Sequence, residues 1–223
     1  MPQRPTLASN TTTAVAWLKH ALPPAYSFTV GDWAPASLPA VARIADLGGG
    51  DEHLSQTALE PLVDVLARHT GTPGSCSFCI WNGYGWIWGG IGIVLLGRPP
   101  EAPPIEPSSG LDPEELARAT FTMPIKGPDR DYVLWEGPVE SMMELGWRAD
   151  DVLPREYPDE NLTGLDSFEP QIPDLMWPAD GAWFFGTDTD FDWSYVSGTQ
   201  ALIDDLASSW PGVTAVSRAE QLD

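Results

Sequence analysis

Residues 76–88 read CSFCIWNGYGWIW, two apolar and aromatic runs joined by Asn82-Gly83. Asn-Gly between such runs is the strongest short-range cue for a β-hairpin, because a type I′ turn requires positive φ at both central positions. The predicted register sets Trp81 opposite Tyr84, Cys79 opposite Trp86 and Ser77 opposite Trp88. We therefore expect an antiparallel sheet with an aromatic ladder on one face.

Further strands are indicated by short apolar runs between turn residues. Phe121–Ile125 and Tyr132–Trp135, on either side of KGPDRD, are typical of a second hairpin. Pro39–Ala45 fits either a short strand or a helical turn, since so short a pattern does not distinguish them. Three more segments are predicted as strands: Gly89–Gly97, Trp183–Thr187 and Val213–Val216.

Helices are expected where apolar residues recur at helical spacing. The predicted helices are Thr11–Leu22, Ser55–His69 and Gln200–Ser208, with a short helical turn at Val139–Leu145. In the second helix, one apolar face carries Leu59, Leu62, Val63 and Leu66. Pro61 marks either a break in that helix or its true first turn. Ser197 and Gln200 are spaced as a capping box for the third helix.

These patterns predict an α+β fold, an antiparallel hairpin-built sheet with about three helices packed largely on one side. Hairpins instead of regular βαβ alternation argue against a doubly wound parallel sheet. A chain of 223 residues, 43% of them hydrophobic, is expected to form a single domain over residues 1–223. The Pro-rich segment 99–113 is predicted as a surface loop of that domain.

The chain is strongly acidic, with 32 Asp and Glu against 11 Lys and Arg and a formal net charge of -21. Residues 112–223 hold 24 acidic and 6 basic side chains, against 8 and 5 in residues 1–111. Such a field repels nucleic-acid backbones and anionic lipid, so binding to DNA, RNA or membranes is disfavoured. It attracts cations or a basic protein, unless the acidity serves solubility alone.

Sequence features of targeting and redox state point to the cytoplasm. No stretch reaches the roughly 18 apolar residues of a membrane span, and the first residues lack the apolar core of a secretory signal. Two cysteines are too few for a disulfide framework. We therefore expect a cytoplasmic protein.

Cys76 and Cys79 have the spacing of half a zinc site or of a redox pair. Positions three apart on a strand point to opposite faces, which argues against both. Cys76 as a nucleophile would need a base, and His69 is the histidine near it in sequence. Two buried apolar cysteines are the favoured interpretation.

Three aspartates at alternate positions, Asp188, Asp190 and Asp192, form the cluster most suggestive of chemistry. On an extended strand their carboxylates share one face and are able to hold Mg²⁺ or Ca²⁺. An EF-hand is excluded, because its sixth position is Trp193 instead of Gly and its twelfth is Thr199 instead of Glu. A solvated strand edge or a turn is the alternative.

Tryptophans are the other candidate binding residues. A ligand cleft or a partner-binding patch, or else the core, is expected to contain Trp81, Trp86, Trp88, Trp177, Trp183 and Trp193. Trp193, between Asp192 and Ser194, is expected to be the exposed one. No phosphate-binding glycine loop, nucleophile elbow or zinc-protease motif is present, so the sequence predicts no cofactor and no catalytic residue.

Four segments resemble an uncharacterised family of actinobacterial proteins. They are VGDWAPASLPAVARI (30–44), LEPLVDVLARHTGTPGSCSFCIWNGYGW (59–86), YVLWEGPVESMMELGW (132–147) and DLMWPADGAWFFGTDTDFDWSYVSGTQALIDDL (174–206). The resemblance covers somewhat under half the chain. It implies one domain, a strand at Ala40–Ile44 and cytoplasmic residence, and it supplies no activity.

The function favoured at this point is a non-catalytic acidic binding protein. An immunity- or antitoxin-like inhibitor of a basic partner fits, since complementary charge speeds encounter and aromatic anchors slow dissociation. The predicted contact residues are Asp188, Asp190, Asp192 and Trp193. The alternative is a small-molecule or divalent-metal-dependent enzyme that uses the same three aspartates.

Overall fold

The computed structural model describes residues 3–23, 27–45, 56–88, 111–123, 130–147, 168–187, 193–210 and 212–222. Within these ranges lie a nine-stranded sheet, a two-stranded sheet and four α-helices. The predicted α+β class with a large antiparallel sheet is confirmed, and the sheet has more strands than its hairpin signals predicted. None of the helices in these ranges combines the length and the apolar composition of a membrane span.

The strands of the described ranges all pair in antiparallel fashion. They are β1 (Thr6–Leu7), β2 (Ala40–Ala45), β3 (Cys76–Trp81), β4 (Thr120–Met123), β5 (Arg130–Gly137), β6 (Gly146–Trp147), β7 (Glu169–Pro170), β8 (Leu175–Pro178), β9 (Phe184–Thr187), β10 (Trp193–Gly198) and β11 (Val213–Ala215). The large sheet runs β1-β5-β3-β8-β9-β10-β2-β11, β4 also pairs with β5, and β6 pairs with β7.

Several sequence predictions for strands are confirmed. The second hairpin is the pair β4 and β5. The segment left open between strand and helical turn is β2, as the family resemblance implied. The last two predicted strands correspond to β9 and β11. The strand predicted at Gly89–Gly97 lies outside the described residues, as does most of the Pro-rich segment 99–113.

Helices form where apolar periodicity and caps coincide. They are α1 (Thr12–Ala21), α2 (Gln56–Arg68), α3 (Pro113–Ala119) and α4 (Gln200–Ser209), with 3-10 helices at Val30–Trp33, Gly85–Trp88 and Val139–Glu144. Helices α1, α2 and α4 and the last 3-10 helix confirm predicted elements. Helix α3 is not among the predicted ones, because it begins at the last residue of the expected loop. Its N-cap is Asp112, whose side chain accepts hydrogen bonds from the backbone N–H groups of Glu114 and Glu115.

Two local predictions about helices are wrong. Pro61 lies inside α2, which runs continuously through it, so it marks neither a break nor the first turn. The N-cap of α4 is Thr199, whose hydroxyl accepts from the backbone N–H of Leu202. Ser197 instead belongs to β10 and donates its hydroxyl to the carbonyl of Phe184. The capping oxygen is thus two residues later than predicted.

The sheet buries apolar side chains on both faces. One face, which we call the three-helix face, packs against α2, α3 and α4. A single row crosses it through aligned residues of six strands: Trp135, Phe78, Met176, Phe185, Val196 and Ala42. The other face packs against α1 and the 3-10 helix at Val30–Trp33. The apolar face predicted for α2 is fully buried against the first of these.

The Asn82-Gly83 hairpin prediction is wrong. Strand β3 pairs on one edge with β5 and on the other with β8, so Trp81 lies opposite Tyr132 and Cys79 lies opposite Leu134 and Leu175. The chain after β3 turns into the 3-10 helix Gly85–Trp88. Distant strands therefore take both edges of β3 and outcompete the local turn.

Gly83 is required for packing and not for a type I′ turn. Its φ is not among the positive values in the described chain. A Cβ at this position would come within 2.2 Å of the Trp81 indole ring. The ring lies directly over the glycine, so any side chain here would displace it.

Candidate functional site

The predicted aspartate site cannot be placed in the fold. Asp188, Asp190 and Asp192 lie between β9 and β10, outside the described residues, so the docking and metal hypotheses built on them stay predictions. Among the residues that the structure does describe, no group of three or more His, Cys, Asp or Glu side chains is arranged to hold a metal ion.

Trp193 is half-buried at the start of β10. The guanidinium carbon of Arg43 lies 4.3 Å from the centroid of its ring, which covers one face of the indole. Arg43 in turn approaches Glu220, with Nη1 3.6 Å from Oε1. The sequence predicts Trp193 as the exposed tryptophan, yet in the described chain that residue is Trp88, at 50%.

The two cysteines are free, buried and on opposite faces of the sheet, as predicted. Burial raises the pKa of the Cys76 thiol to about 12, with smaller contributions from the charges of Glu140 and Asp180. Burial, followed by the charge of Asp174, raises the pKa of Cys79 well above its usual value. Neither thiol is thus activated as a nucleophile or a metal ligand.

His69 is engaged elsewhere. Its Nε2 lies 2.9 Å from Oδ2 of Asp205, and Nη2 of Arg68 lies 3.0 Å from the same oxygen. These contacts join the end of α2 to α4. They give His69 a structural role and weaken its candidacy as a base for Cys76.

Two of the predicted tryptophans are core residues. Trp183 is fully buried, and its Nε1 donates to the carbonyl of Leu66 at 2.9 Å. Trp177 stacks on Trp17 with ring centroids 5.0 Å apart. For these positions the packing interpretation holds.

A cleft of about 750 Å³, which we call the tryptophan cavity, lies at the β1 end of the three-helix face. Five elements form its walls: β1, β5, β6, α3 and the 3-10 helix Gly85–Trp88. The side chains that matter for its chemistry are Arg4, Trp86, Glu115, Arg118, Trp135 and Trp147. Its volume is within the usual range of small-molecule sites, about 300–1,000 Å³.

Strand register and helix burial place the walls of the tryptophan cavity. The register of β1 on β5 sets Leu7 opposite Trp135 and so puts both on the three-helix face. Helix α3 buries Leu116 and Ala119 in the core. Glu115 and Arg118, three residues apart, then share the side of the helix that borders the cleft.

Arg4 is anchored to the opposite wall of the tryptophan cavity. Its Nη2 donates to the carbonyl of Gly146 at 3.3 Å. Gly146 has a φ of 143°, in the region that favours glycine, and it begins β6. The next residue, the half-buried Trp147, also lines the cleft. A glycine backbone conformation thus positions one arginine and one tryptophan.

Two indole groups in the tryptophan cavity have no hydrogen-bond acceptor among the described residues. They belong to Trp86 and Trp135, which are 8% and 5% exposed and whose Nε1 atoms are buried. Their ring centroids are 6.3 Å apart and the rings tilt by 34°. A buried donor without an acceptor costs about 1–3 kcal/mol. Both residues line the same cleft; because each Nε1 is fully buried, an acceptor bound there would remove that cost only if the rings turned toward it.

A second cleft, of about 560 Å³, lies on the other side of β1. Its tryptophans, Trp17 and Trp177, are stacked on each other, and Glu136 is the charged residue in its wall. Neither indole is among the buried donors without acceptors in the described chain. The described residues of the second cleft therefore include no buried indole donor that a ligand would satisfy.

Sequence reasoning found one residue of the tryptophan cavity, Trp86, and missed the others. Arg4, Arg118 and Trp147 stand alone in unremarkable contexts, and Trp135 belongs to an ordinary apolar strand. They meet through the distant pairing of β1 with β5 and through α3, which has no amphipathic repeat long enough to predict.

Comparison of the chain with protein-family models, curated proteins and solved structures finds no match. The resemblance to an actinobacterial family accordingly stays a prediction. The functional conclusion rests on the geometry of this chain alone.

Proposed function

We propose that this chain is a non-catalytic binding protein and that the tryptophan cavity holds its ligand. The observation that carries the proposal is the pair of buried indole N–H groups, on Trp86 and Trp135, that have no acceptor among the described residues. More than nine in ten buried polar groups in native proteins have a partner. Two such donors on residues that line one cleft support a site completed by a bound molecule.

The wall residues favour binding over catalysis. Arg4 and Arg118 donate hydrogen bonds and accept none. Glu115, which is exposed on α3, is the acidic residue among the described lining residues. Such a set orients a ligand, whereas general acid–base catalysis most often uses a histidine, which the described lining does not include.

The test measures binding of three naphthalene derivatives to the full chain by calorimetry. The derivatives are the neutral naphthamide, the anion naphthoate and the cation naphthylmethylammonium. At least one is expected to bind with 1:1 stoichiometry. The Trp135→Phe and Trp86→Phe variants keep an aromatic ring but lose the donor, so each should weaken binding about 2- to 10-fold. Trp88→Phe, outside the cleft, is the matched control and should bind as the unaltered chain does.

Absence of binding by all three compounds would overturn the proposal. So would binding that both cleft variants leave unchanged, because the indole donors would then have no part in it. Near-ultraviolet circular dichroism of each variant verifies that the fold is retained.

Docking of a basic protein on the acidic exterior is a second candidate. Its support is the net charge of residues 112–223, where Glu114, Glu115, Glu136 and Glu140 are all exposed. The immunity- or antitoxin-like role proposed from the sequence belongs here. Because one face of Trp193 is covered by Arg43, the aspartates would have to supply most of the contact.

Charge reversal tests this second candidate. A chain carrying Asp188→Lys, Asp190→Lys and Asp192→Lys should lose a basic partner captured by the unaltered chain at physiological salt. A chain carrying Glu114→Lys, Glu136→Lys and Glu140→Lys has the same net charge and should retain it. Equal loss in both would indicate non-specific attraction and contradict docking at residues 188–192.

A further inference from the structure

We infer that the second cleft binds a neutral, hydroxyl-rich ligand of the sugar class, independently of the tryptophan cavity. The second cleft has a volume of about 560 Å³, within the usual range for small-molecule sites of about 300–1,000 Å³. Eight of its sixteen described lining residues carry a hydroxyl, amide or carboxylate side chain, and none of the sixteen is basic. The described lining therefore offers hydrogen bonds to a ligand but no positive charge for an anion.

A row of four aligned side chains, which we call the polar row, lines the second cleft. The strand register sets Glu136 of β5 opposite Thr6 of β1 and Ser77 of β3. Ser77 in turn lies opposite Trp177 of β8, and all four residues border the cleft. Residues directly opposite each other point to the same face of a sheet. Trp177 belongs to the core on the α1 side, so the whole row projects from that face.

The polar row differs sharply in exposure from its neighbour on the same face. The neighbouring row is fully buried and consists of Leu134, Cys79 and Leu175. In the polar row, Thr6 and Glu136 are exposed and Ser77 is half-buried. The sheet face thus changes from apolar core to polar surface where it borders the second cleft.

The side chains of the polar row do not satisfy one another. Thr6, Ser77 and Glu136 form no side-chain hydrogen bond or ion pair with a described residue. A carboxylate only accepts hydrogen bonds, whereas a hydroxyl both donates and accepts them. Two strand spacings, about 10 Å, separate Thr6 from Ser77, a distance that a sugar ring bridges through hydrogen bonds at both ends. Sugar hydroxyls donate to the carboxylate and pair with either hydroxyl in both directions.

Two tryptophans close one end of the polar row. Trp17 of α1 stacks on Trp177 with ring centroids 5.0 Å apart, and both residues line the second cleft. Trp177 is 4% exposed whereas Trp17 is half-buried, so the accessible indole surface belongs mainly to Trp17. A sugar ring has C–H groups on its faces and hydroxyls at its edge. It therefore packs on an indole while its hydroxyls bond to the polar row.

An organic cation is the competing ligand class, because Glu136 would attract it. An ammonium group only donates hydrogen bonds, so it would use Glu136 and leave the hydroxyl donors of Thr6 and Ser77 to water. Its affinity would also depend strongly on salt, since the attraction is between charges. A neutral sugar uses the whole polar row and predicts a weak dependence on salt.

Titration of the full chain with three methyl hexosides tests the inference. The compounds are methyl β-glucoside, methyl β-galactoside and methyl α-mannoside, and binding is followed by amide shifts in heteronuclear NMR spectra. At least one is expected to bind with a Kd on the order of 1 mM, which is usual for a ligand of this size. The amides of Ser77 and Glu136 should shift, while those of Trp86 and Trp147 in the tryptophan cavity should not. Raising the salt concentration tenfold should change the affinity less than about twofold.

Variants of the polar row locate the ligand. Glu136→Gln removes the charge but keeps an acceptor, and it should weaken the best hexoside about 3- to 10-fold. Thr6→Val removes one hydroxyl from an edge strand while keeping its shape, and it should weaken that hexoside about 2- to 5-fold. Thr214→Val, on β11 at the opposite end of the sheet, is the matched control and should leave the affinity unchanged. Near-ultraviolet circular dichroism verifies the fold of each variant.

Absence of amide shifts at Ser77 and Glu136 with all three hexosides would overturn the inference. So would an affinity that both variants of the polar row leave unchanged, or choline binding at the same residues more tightly than every hexoside. These outcomes leave the proposed function intact, because the tryptophan cavity is tested with the naphthalene derivatives and with other variants.

Discussion

Buried tryptophans at the centre and at the β1 end of the three-helix face differ in the hydrogen bonding of their indole N–H groups. At the centre, Trp183 is fully buried beneath α2 and donates to the carbonyl of Leu66. At the β1 end, Trp86 and Trp135 are nearly as buried, yet their indole nitrogens have no acceptor within the described part of the chain. The indole N–H at the centre thus has its acceptor within the described protein, whereas the two at the β1 end do not.

This difference shows that burial of a tryptophan and hydrogen bonding of its indole N–H are separate clues to function. All three tryptophans would be classed as core by exposure alone. Hydrogen bonding distinguishes them, because an indole N–H left without an acceptor costs free energy that selection for stability alone would remove. Unsatisfied donors next to a cleft are therefore the better guide to a binding site.

The largest expected effect is a loss of stability when Trp183, at the centre, is truncated. Trp183→Ala should destabilise the fold by about 3–5 kcal/mol, because a large buried ring is replaced by a cavity. Trp88→Ala is the matched control: the exposed ring makes one hydrogen bond, to the carbonyl of Asn82, so its loss should cost within about 1 kcal/mol. Urea unfolding of both variants measures the two values, and equal losses would contradict the distinction.

A smaller effect on stability is expected when the indole N–H alone is removed from a tryptophan of each region. Trp183→Phe removes a donor that has an acceptor and should cost about 1–3 kcal/mol. Trp135→Phe removes a donor without one and should cost less, because no hydrogen bond is lost. The difference between the two free energies of unfolding is the quantity to measure. A larger loss for Trp135→Phe would mean that its indole is satisfied in solution.

The smallest effect concerns the contact that joins α2 to α4 over the centre. Hydrogen bonds from His69 and then Arg68 hold the pKa of Asp205 below its ordinary 3.8. The stability this gives is present above pH 3.8 and is lost as the pH falls through the lower, folded-state pKa.

Asp205→Asn should thus be less stable than the unaltered chain at pH 6 and should approach it near pH 2. Asp204→Asn, at the neighbouring position on α4, serves as the control. Urea midpoints at several pH values make the comparison. A gap between Asp205→Asn and the unaltered chain that stays constant with pH would show that the contact does not depend on the carboxylate charge.

The elements that could be predicted are those whose signals are local. Helices α1, α2 and α4 have apolar periodicity and clear ends, and the sequences of β4 and β5 are two apolar runs separated by residues typical of a turn. The order of strands in the sheet was beyond reach, because β3 takes its partners from residues 130–137 and 175–178. The Asn-Gly signal failed for the same reason.

The candidate site was less predictable than the fold. Trp86 was recognised as a possible cleft residue, while the aspartates and Trp193 drew attention by composition. Arg4 and Arg118 are 114 positions apart in the sequence, and nothing in either neighbourhood indicates that they share a cleft. The pairing of β1 with β5 and the packing of α3 on these strands bring them together.

The pairing of β2 has a consequence for how the protein is made. Residues 40–45 find both of their sheet neighbours in residues 193–198 and 213–215. At about 5–20 residues per second, a ribosome delivers those partners roughly 10–30 seconds later. For that time an apolar strand has two vacant edges and invites aggregation. A chaperone that shields nascent strands should therefore raise the yield of folded protein, whereas slower translation should lower it.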